Sequence, residues 1–204
     1  MRSARVTAMS LRTSREEAWD LLTEWVQSPS LRRHCRCVEI CMRAYAEKYG
    51  EDVEMWSVVG LLHDADYERH PDMDADDGHP RTIMAELERR GEDPAVVRAI
   101  ASHADFLGVS RDSAMEKTLF AVDELSGFIV ACAAVRPEGI HGLTPKSVKK
   151  KLKQPSFAAA VNRDDVRHGA EELGVDFDEH VRFVVAALEA RAAELELDGT
   201  AAAA

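Results

Sequence analysis

No part of this 204-residue sequence is apolar enough to suggest contact with a membrane. A membrane-spanning helix needs about 18 uninterrupted apolar residues, and no stretch approaches that length. Arg2 and Arg5 lie in the first ten residues, but the apolar stretch of a signal peptide does not follow them. We therefore expect a cytoplasmic protein without membrane association.

Cysteine is scarce and shows no paired pattern. Cys35, Cys37 and Cys41 fall in one predicted helix, and Cys132 stands alone. A chain of this length without a disulfide framework is typical of a reducing compartment. The spacing of Cys35 and Cys37 also differs from the CxxC motif of zinc and redox sites. We expect these thiols to be packing residues.

Positive charge is in deficit, because 26 Lys and Arg stand against 37 Asp and Glu and give a formal net charge of −11. Such a field repels polyanions, so nucleic acid and anionic membranes are excluded as nonspecific partners. A small anionic, phosphate-containing substrate responds to local charge and is compatible with this balance. The sequence has neither a Gly-rich phosphate loop nor an aromatic cluster for base stacking, and it does not indicate the oligomeric state.

Helical periodicity runs along most of the sequence. Apolar residues recur at helical spacing, N-cap residues such as Ser14 precede the predicted helices, and no alternating strand pattern exceeds four residues. These patterns predict an all-α fold. Helices are predicted over about 31–49, 51–62, 113–135, 163–173 and 177–195, with others before 25, near Pro80 and after Pro94. We expect a flexible extension over 1–13, a helical core over 14–135, C-terminal helices over 136–195 that pack on the core, and a flexible tail over 196–204.

The adjacent pair His63 and Asp64 is the most informative feature of the chain. It ends the apolar run over residues 58–62, where a predicted helix stops. Four further residues of metal-binding type lie in or next to other predicted helices: His34, His79, His103 and Asp123. A carboxylate within an apolar helix, such as Asp123, needs a cation or strong donors when it is buried. The set predicts a metal site.

The ligand types limit which metal this site would bind. Mixed histidine and carboxylate ligands suit Fe, Mn, Co, Ni or Zn better than Ca. Neighbouring residues on a regular helix diverge by roughly 100°, but the backbone can turn at a helix end and let His63 and Asp64 converge. The two oxygens of Asp64 could then bridge two ions about 3.5–4 Å apart, as in two-metal hydrolases.

The same residues make the sequence similar to the HD-domain superfamily of metal-dependent phosphohydrolases, especially its small HD or HDIG-type members. The similarity covers about residues 14–135. It is carried by His34 in Leu-Arg-Arg-His, by His63 and Asp64 in Leu-Leu-His-Asp-Ala-Asp-Tyr, and by Asp123 in Ala-Val-Asp-Glu-Leu-Ser-Gly. The resemblance implies an HD-domain helical bundle, here with a C-terminal helical extension, in which these four residues bind a first metal.

The resemblance also extends to a second metal. In the dinuclear branch of the superfamily, the positions of His79 and His103 complete a second site, with Asp64 as the bridge. The loop after the pair contains two His-Pro steps, at His70 and His79. We assign the ligand to His79 because it directly opens the next predicted helix, and His70 is the alternative.

Two further residues are candidates for catalysis beside Asp64. Asp66, two residues beyond the pair, could orient a nucleophilic or metal-bound water, or it could simply cap a helix end. Lys117, six residues before Asp123, could reach a substrate phosphate, or it could lie in solvent.

A basic run over residues 146–153 supplies candidates for substrate binding. Lys146, Lys149 and Lys150 could form a rim that attracts an anion towards the metals, and Arg163 is a weaker candidate of the same kind. The run could equally be a solvated helix face or a partner-binding patch. The other histidines are expected at the surface: His141, His168 and His180.

Three functions remain after this reasoning. The leading hypothesis is hydrolysis of a small phosphate ester by a metal-activated water. The same ligand set is also similar to the mixed-valent diiron oxygenases of the superfamily, which cleave carbon–carbon or carbon–phosphorus bonds. A protein that binds metal or a nucleotide without catalysis is the third hypothesis.

Overall fold

A computed structural model describes residues 13–200, which fold entirely into helices, turns and loops. The predicted all-α fold is confirmed. Most of the predicted N-terminal extension and the last residues of the predicted tail, 1–12 and 201–204, lie outside the described residues. Within the described range the α-helices are α1 (Arg15–Trp25), α2 (Pro29–Tyr49), α3 (Val53–Leu62), α4 (Arg81–Arg90), α5 (Pro94–His103), α6 (Ala114–Ala134), α7 (Pro145–Leu152), α8 (Arg163–Leu173) and α9 (Phe177–Glu189).

Local sequence determines where these helices begin. Ser14 and Ser113 each form a capping box with the glutamate three residues later. Proline occupies the first helical position of α2, α5 and α7, where its missing N–H costs nothing. Ser28 is the N-cap of α2, where its hydroxyl accepts a hydrogen bond from the amide of Leu31, so α2 starts two residues earlier than predicted. By contrast, α9 ends at Glu189, and residues 190–196 continue as turns rather than as the predicted helix.

The centre of the molecule is formed by α2, α3 and α6, which pack against one another. Most of their apolar side chains are buried, and the free thiols of all four cysteines lie among them or beside them. Within residues 13–200, no helix is both long and apolar enough to cross a membrane.

A very close helix contact lies between α2 and α3 at Gly60. A Cβ added to Gly60 would lie 2.7 Å from Glu39 Cα and 2.8 Å from Glu39 N, closer than any side chain allows. Glycine therefore lets the two backbones touch. The carboxylate of Glu39 is buried beneath this contact, where it accepts hydrogen bonds from Arg15, Arg36 and Ser57.

The C-terminal helices pack onto this centre. Gly169 of α8 lies against the backbone of Ala121 in α6. His180 of α9 is 1% exposed, so its predicted surface position is wrong. Its Nε2 donates to the carbonyl of Ala121 (3.0 Å), and its Nδ1 accepts from the hydroxyl of Tyr45 (2.6 Å). This neutral imidazole joins α9 to both α2 and α6.

The start of the segment predicted as a flexible tail is packed. Leu197 is 4% exposed, and its carbonyl accepts a hydrogen bond from the amide of Ile140 (2.9 Å). The leucine anchors this segment because burying its side chain releases water from apolar surface. His141 and His168 are exposed, as predicted.

The Gly60 contact generates a test of the fold. We expect Gly60→Ala to lower the free energy of unfolding by about 1–3 kcal/mol, because an overpacked contact must be forced apart. Urea denaturation measures the change. Gly127→Ala is the matched control, since a Cβ there meets only His34 Nδ1 at 3.8 Å and helix propensity favours alanine by about 1 kcal/mol. Equal stability of the two variants would contradict the close approach of α2 and α3.

Candidate metal centre

Six residues from five segments of the chain converge between α2, α3, α5 and α6. Asp64 follows the end of α3, and the turn there brings its side chain beside that of His63. The full set is His34 on α2, His63 at the end of α3, Asp64, His79 just before α4, His103 at the end of α5, and Asp123 on α6. These are the six residues that the sequence singled out.

Three of the six form one group, in which the candidate ligand atoms lie within 4.8 Å of one another. His34 Nε2 lies 3.2 Å from His63 Nε2 and 3.0 Å from Asp123 Oδ1. His63 Nε2 lies 3.4 Å from the same oxygen. Two imidazoles and one carboxylate thus face a common point.

The second group consists of Asp64, His79 and His103, again with ligand atoms within 4.8 Å of one another. His79 Nε2 lies 3.3 Å from Asp64 Oδ1, and His103 Nε2 lies 3.7 Å from it. The rings of His79 and His103 meet edge to face at 5.2 Å. This group has the same donor types as the first.

Asp64 links the two groups through its separate oxygens. Oδ1 faces His79 and His103, whereas Oδ2 lies 3.6 Å from His34 Nε2 and 3.7 Å from His63 Nε2. The carboxylate therefore lies between the groups with one oxygen turned towards each. This is the arrangement that a bridging carboxylate requires.

Hydrogen bonds on the far side of three rings fix their tautomers. Nδ1 of His63 donates to the carbonyl of Gly60 (2.9 Å), and Nδ1 of His103 donates to that of Ile100. Nδ1 of His79 donates to Oδ1 of Asp66 (2.7 Å). In a neutral imidazole the other nitrogen is then an acceptor, so each Nε2 presents a lone pair to the centre.

Lone pairs of nitrogen and carboxylate oxygen that converge in this way need a cation or a proton between them. Burial opposes protonation of His63, but the charges of Asp64 and Asp123 outweigh it and raise the pKa of His63 to about 9. Burial likewise tends to raise the pKa of Asp64 and of Asp123, yet the neighbouring histidines hold both below their usual range. The donor set fits divalent transition metals.

Asp66 does not lie where a base acting on water is needed. It is fully buried, with Oδ1 bound to His79 Nδ1 and Oδ2 accepting from the amide of Ile83 (2.9 Å) in the first turn of α4. Its predicted role beside a nucleophilic water is therefore corrected. Asp66 orients His79 and caps α4, because both of its oxygens are occupied.

The two other doubtful assignments concern His70 and Lys117. His70 pairs with Asp77 (3.2 Å), and only its backbone carbonyl touches His79. The structure thus brings His79, and not His70, into the ligand set. Lys117 is partly buried on α6. Lys117 lies six residues before Asp123 on the helix, which is roughly 9 Å along the helix axis and roughly 120° around that axis. The spacing therefore does not direct Lys117 towards the ligands.

A cleft of about 590 Å³ opens onto the centre between the start of α2 and the loop after α3. It contains residues that the sequence analysis missed, because nothing in their local pattern marks them. The cleft is lined by Ser28, Ser30, Leu31, His34, Asp64, Tyr67, Glu68 and Pro71.

The predicted basic rim does not line this cleft. Lys149 pairs with Asp178 of α9 (2.8 Å), whereas Lys146 and Lys150 are exposed on α7. The reason is the docking of α7, whose buried residues Val148 and Leu152 turn the lysines outwards. The structure brings none of the three lysines to the ligand groups.

Arg163 is likewise occupied away from the ligand groups. Its guanidinium donates to the backbone carbonyls of the segment before α8, at Leu152, Gln154, Pro155, Phe157 and Val161. A side chain used in this way holds a loop together. Its predicted part in substrate binding is corrected for that reason.

Glu124 was also missed, although an acidic residue next to Asp123 in an apolar helix is a signal. Burial raises the pKa of Glu124 to about 7, and the charge of Asp123 adds to the effect. One oxygen accepts a hydrogen bond from the amide of Asn162 (3.2 Å). A partly buried carboxyl group with a raised pKa thus directly follows Asp123 in α6.

The fold and the centre define an all-helical domain with a histidine and aspartate cluster suited to metal. Residues 31–127 match the family model of the HD domain, and the match includes all six clustered residues. Residues 31–127 therefore form an HD domain, and proteins of the HD superfamily are generally metal-dependent phosphohydrolases. The predicted family is confirmed. Comparisons with curated proteins and with solved structures found no match.

The raised pKa of His63 generates a test on the metal-free protein. Because the folded-state pKa of about 9 exceeds the unfolded value of about 6.5, the stabilisation is complete below pH 6.5 and is lost as pH rises towards 9. We expect the contribution of His63 to fall by about 1.5 kcal/mol between pH 6.5 and 8, seen as a falling Tm in the presence of a chelator.

The window ends at pH 8 because above it the buried thiols would also make stability depend on pH. Burial raises the pKa of Cys37 to about 12, whereas unfolding exposes this thiol to water. His63→Gln is the control and should show a flatter profile. A Tm that rises over this window in the metal-free wild type would contradict the protonated state of His63.

Proposed function

We propose that this protein is a metal-dependent phosphohydrolase that acts on a small phosphate ester at a dinuclear centre. One observation carries the proposal: Asp64 lies between two groups of ligand atoms and turns one oxygen towards each. The match of residues 31–127 to the HD domain supports the reaction class. The tautomers fixed by the Nδ1 hydrogen bonds support metal binding at Nε2.

We assign His34, His63, Asp123 and Oδ2 of Asp64 to one ion. His79, His103 and Oδ1 of Asp64 are assigned to the other. The ions would be divalent and drawn from Fe, Mn, Co, Ni or Zn, since these accept nitrogen and oxygen ligands together.

When bound, such ions lower the pKa of a coordinated water and stabilise charge on phosphate oxygens. The chain itself supplies orientation. Asp66 holds the ring of His79, and main-chain carbonyls hold the rings of His63 and His103. The phosphate would lie where the cleft meets His34 and Asp64, so that its ester oxygen points into the cleft.

The function is tested by reconstituting the metal-free protein with Mn, Co, Ni or Zn and assaying a panel of phosphomonoesters without oxygen. We expect turnover, and we expect Asp123→Asn to lower kcat by at least about 100-fold because a metal ligand is weakened. Asp20→Asn, at an exposed position of α1, is the control and should retain activity.

Two other results would replace the proposal. Turnover that requires iron and oxygen, with a mixed-valent EPR signal, would establish a diiron oxygenase. Absence of turnover with every metal and ester would favour a binding protein without catalysis.

The role of Asp66 as a positioning residue is tested separately. Asp66→Asn removes the charge that holds His79, and such changes around a ligand typically cost about 10–100-fold in metal affinity. Competition with a chromophoric chelator measures the affinity, and Tm shows whether the fold is retained. Asp77→Asn, in the same loop and paired with His70, should bind metal as the wild type does. Equal metal affinities in the two variants would show that Asp66 does not position His79 for metal binding.

A further inference from the structure

The cleft beside the ligand cluster is the part of the site that a substrate must fill. Two of its lining residues, His34 and Asp64, belong to the ligand groups, so the cleft and the centre are continuous. If the phosphate lies at the metals, the alcohol part of the ester lies in the cleft. The inference below rests on the proposed function in this respect.

The cleft offers no cation for a second anionic group. Among the described residues that line it there is neither lysine nor arginine. The arginines nearest in sequence are engaged elsewhere. Arg32 donates to the carbonyls of Val26 and Thr23, and Arg69 donates to that of Glu24, whereas Arg33 pairs with Glu196 (3.3 Å). An additional phosphate or carboxylate would enter the cleft without a counter-charge.

Glu68 makes the cleft negative. One of its oxygens, Oε2, accepts hydrogen bonds from the amides of Gln27 (2.9 Å) and Ser28 (2.8 Å), which ties the loop after α3 to the start of α2. A substrate anion in the cleft would therefore meet a fixed like charge.

The remaining lining groups suit a neutral alcohol. The hydroxyls of Ser28, which is partly buried, and Ser30, which is exposed, lie 2.8 Å apart, and a hydroxyl group can both donate and accept hydrogen bonds. Tyr67 is 40% exposed and packs against the ring of His79 at 5.3 Å. Leu31 and Pro71 complete the wall with apolar surface.

We propose that the substrate is a phosphate monoester of an uncharged, hydroxyl-bearing alcohol, and that Glu68 determines this specificity. Hydrolysis forms one P–O bond from water and breaks the ester P–O bond. The alcohol departs with a proton, and inorganic phosphate is the second product. Esters whose alcohol carries a carboxylate or a second phosphate are disfavoured by repulsion in the cleft.

A matched pair of esters tests the proposal in the manganese-loaded protein. Glycerol 3-phosphate has a neutral leaving group, and 3-phosphoglycerate has the same carbon skeleton with a carboxylate. We expect kcat/KM to favour glycerol 3-phosphate by at least about fivefold, since like charges about 4 Å apart repel by about 1 kcal/mol even in water. Glu68→Gln should reduce this ratio at least about fivefold, whereas Glu88→Gln, exposed on α4, should leave it unchanged.

Binding supplies a readout without turnover. 3-Hydroxypropylphosphonate and 3-phosphonopropionate differ in the same way and resist hydrolysis, so isothermal titration gives their Kd values directly. We expect the neutral compound to bind more tightly to the wild type and the preference to shrink in Glu68→Gln.

The outcomes separate the two proposals. Hydrolysis of both esters at similar kcat/KM, or tighter binding of the anionic phosphonate, would overturn the specificity while leaving the phosphohydrolase intact. If Glu68→Gln left the ratio of the two kcat/KM values unchanged, Glu68 would not determine the specificity. Hydrolysis of no ester with any metal would overturn the proposed function, and the specificity with it.

Discussion

The close approach of α2 and α3 at Gly60 is the constraint on which the rest of the site depends. Glycine allows the backbones to touch, and the buried carboxylate of Glu39 would oppose that contact if it lacked partners. Two arginines and Ser57 supply them. His34 lies five residues before Glu39, and His63 lies three residues after Gly60. Helix packing at this one contact therefore brings their Nε2 atoms to 3.2 Å.

Much of the fold could be predicted because its determinants are local. Capping residues and first-turn prolines act within one helical turn, and so the start of α8 at Arg163 follows from Asn162 alone. The six clustered residues could also be predicted from sequence, because a histidine or aspartate in or at the end of an apolar helix stands out from its neighbours and because these positions carry the resemblance to the HD domain. Their meeting in space needed the fold, because it depends on contacts between distant helices.

The predictions that were wrong concern residues whose partners lie far away in the chain. His180 resembles a surface residue until Tyr45 and Ala121, from two other helices, enclose it. Asp66 resembles a base until His79 and Ile83 occupy its oxygens. Arg163 resembles a phosphate ligand in the sequence, but in the fold its guanidinium donates hydrogen bonds to five backbone carbonyls. No spacing rule in the sequence contains this information.

The distribution of charge explains how the site could bind an anionic substrate although the chain carries a net charge of −11. The cleft has no cation of its own, and the lysines of α7 face elsewhere. Under the proposed function, attraction for phosphate must then arise at the ligand cluster, where metal replaces the proton that the metal-free His63 holds. The metals would attract only the phosphoryl group of the substrate, whereas Glu68 would repel a negative charge on the attached alcohol. Binding strength and selectivity would thus come from charges of opposite sign a short distance apart, the first supplied by the metals and the second by the chain.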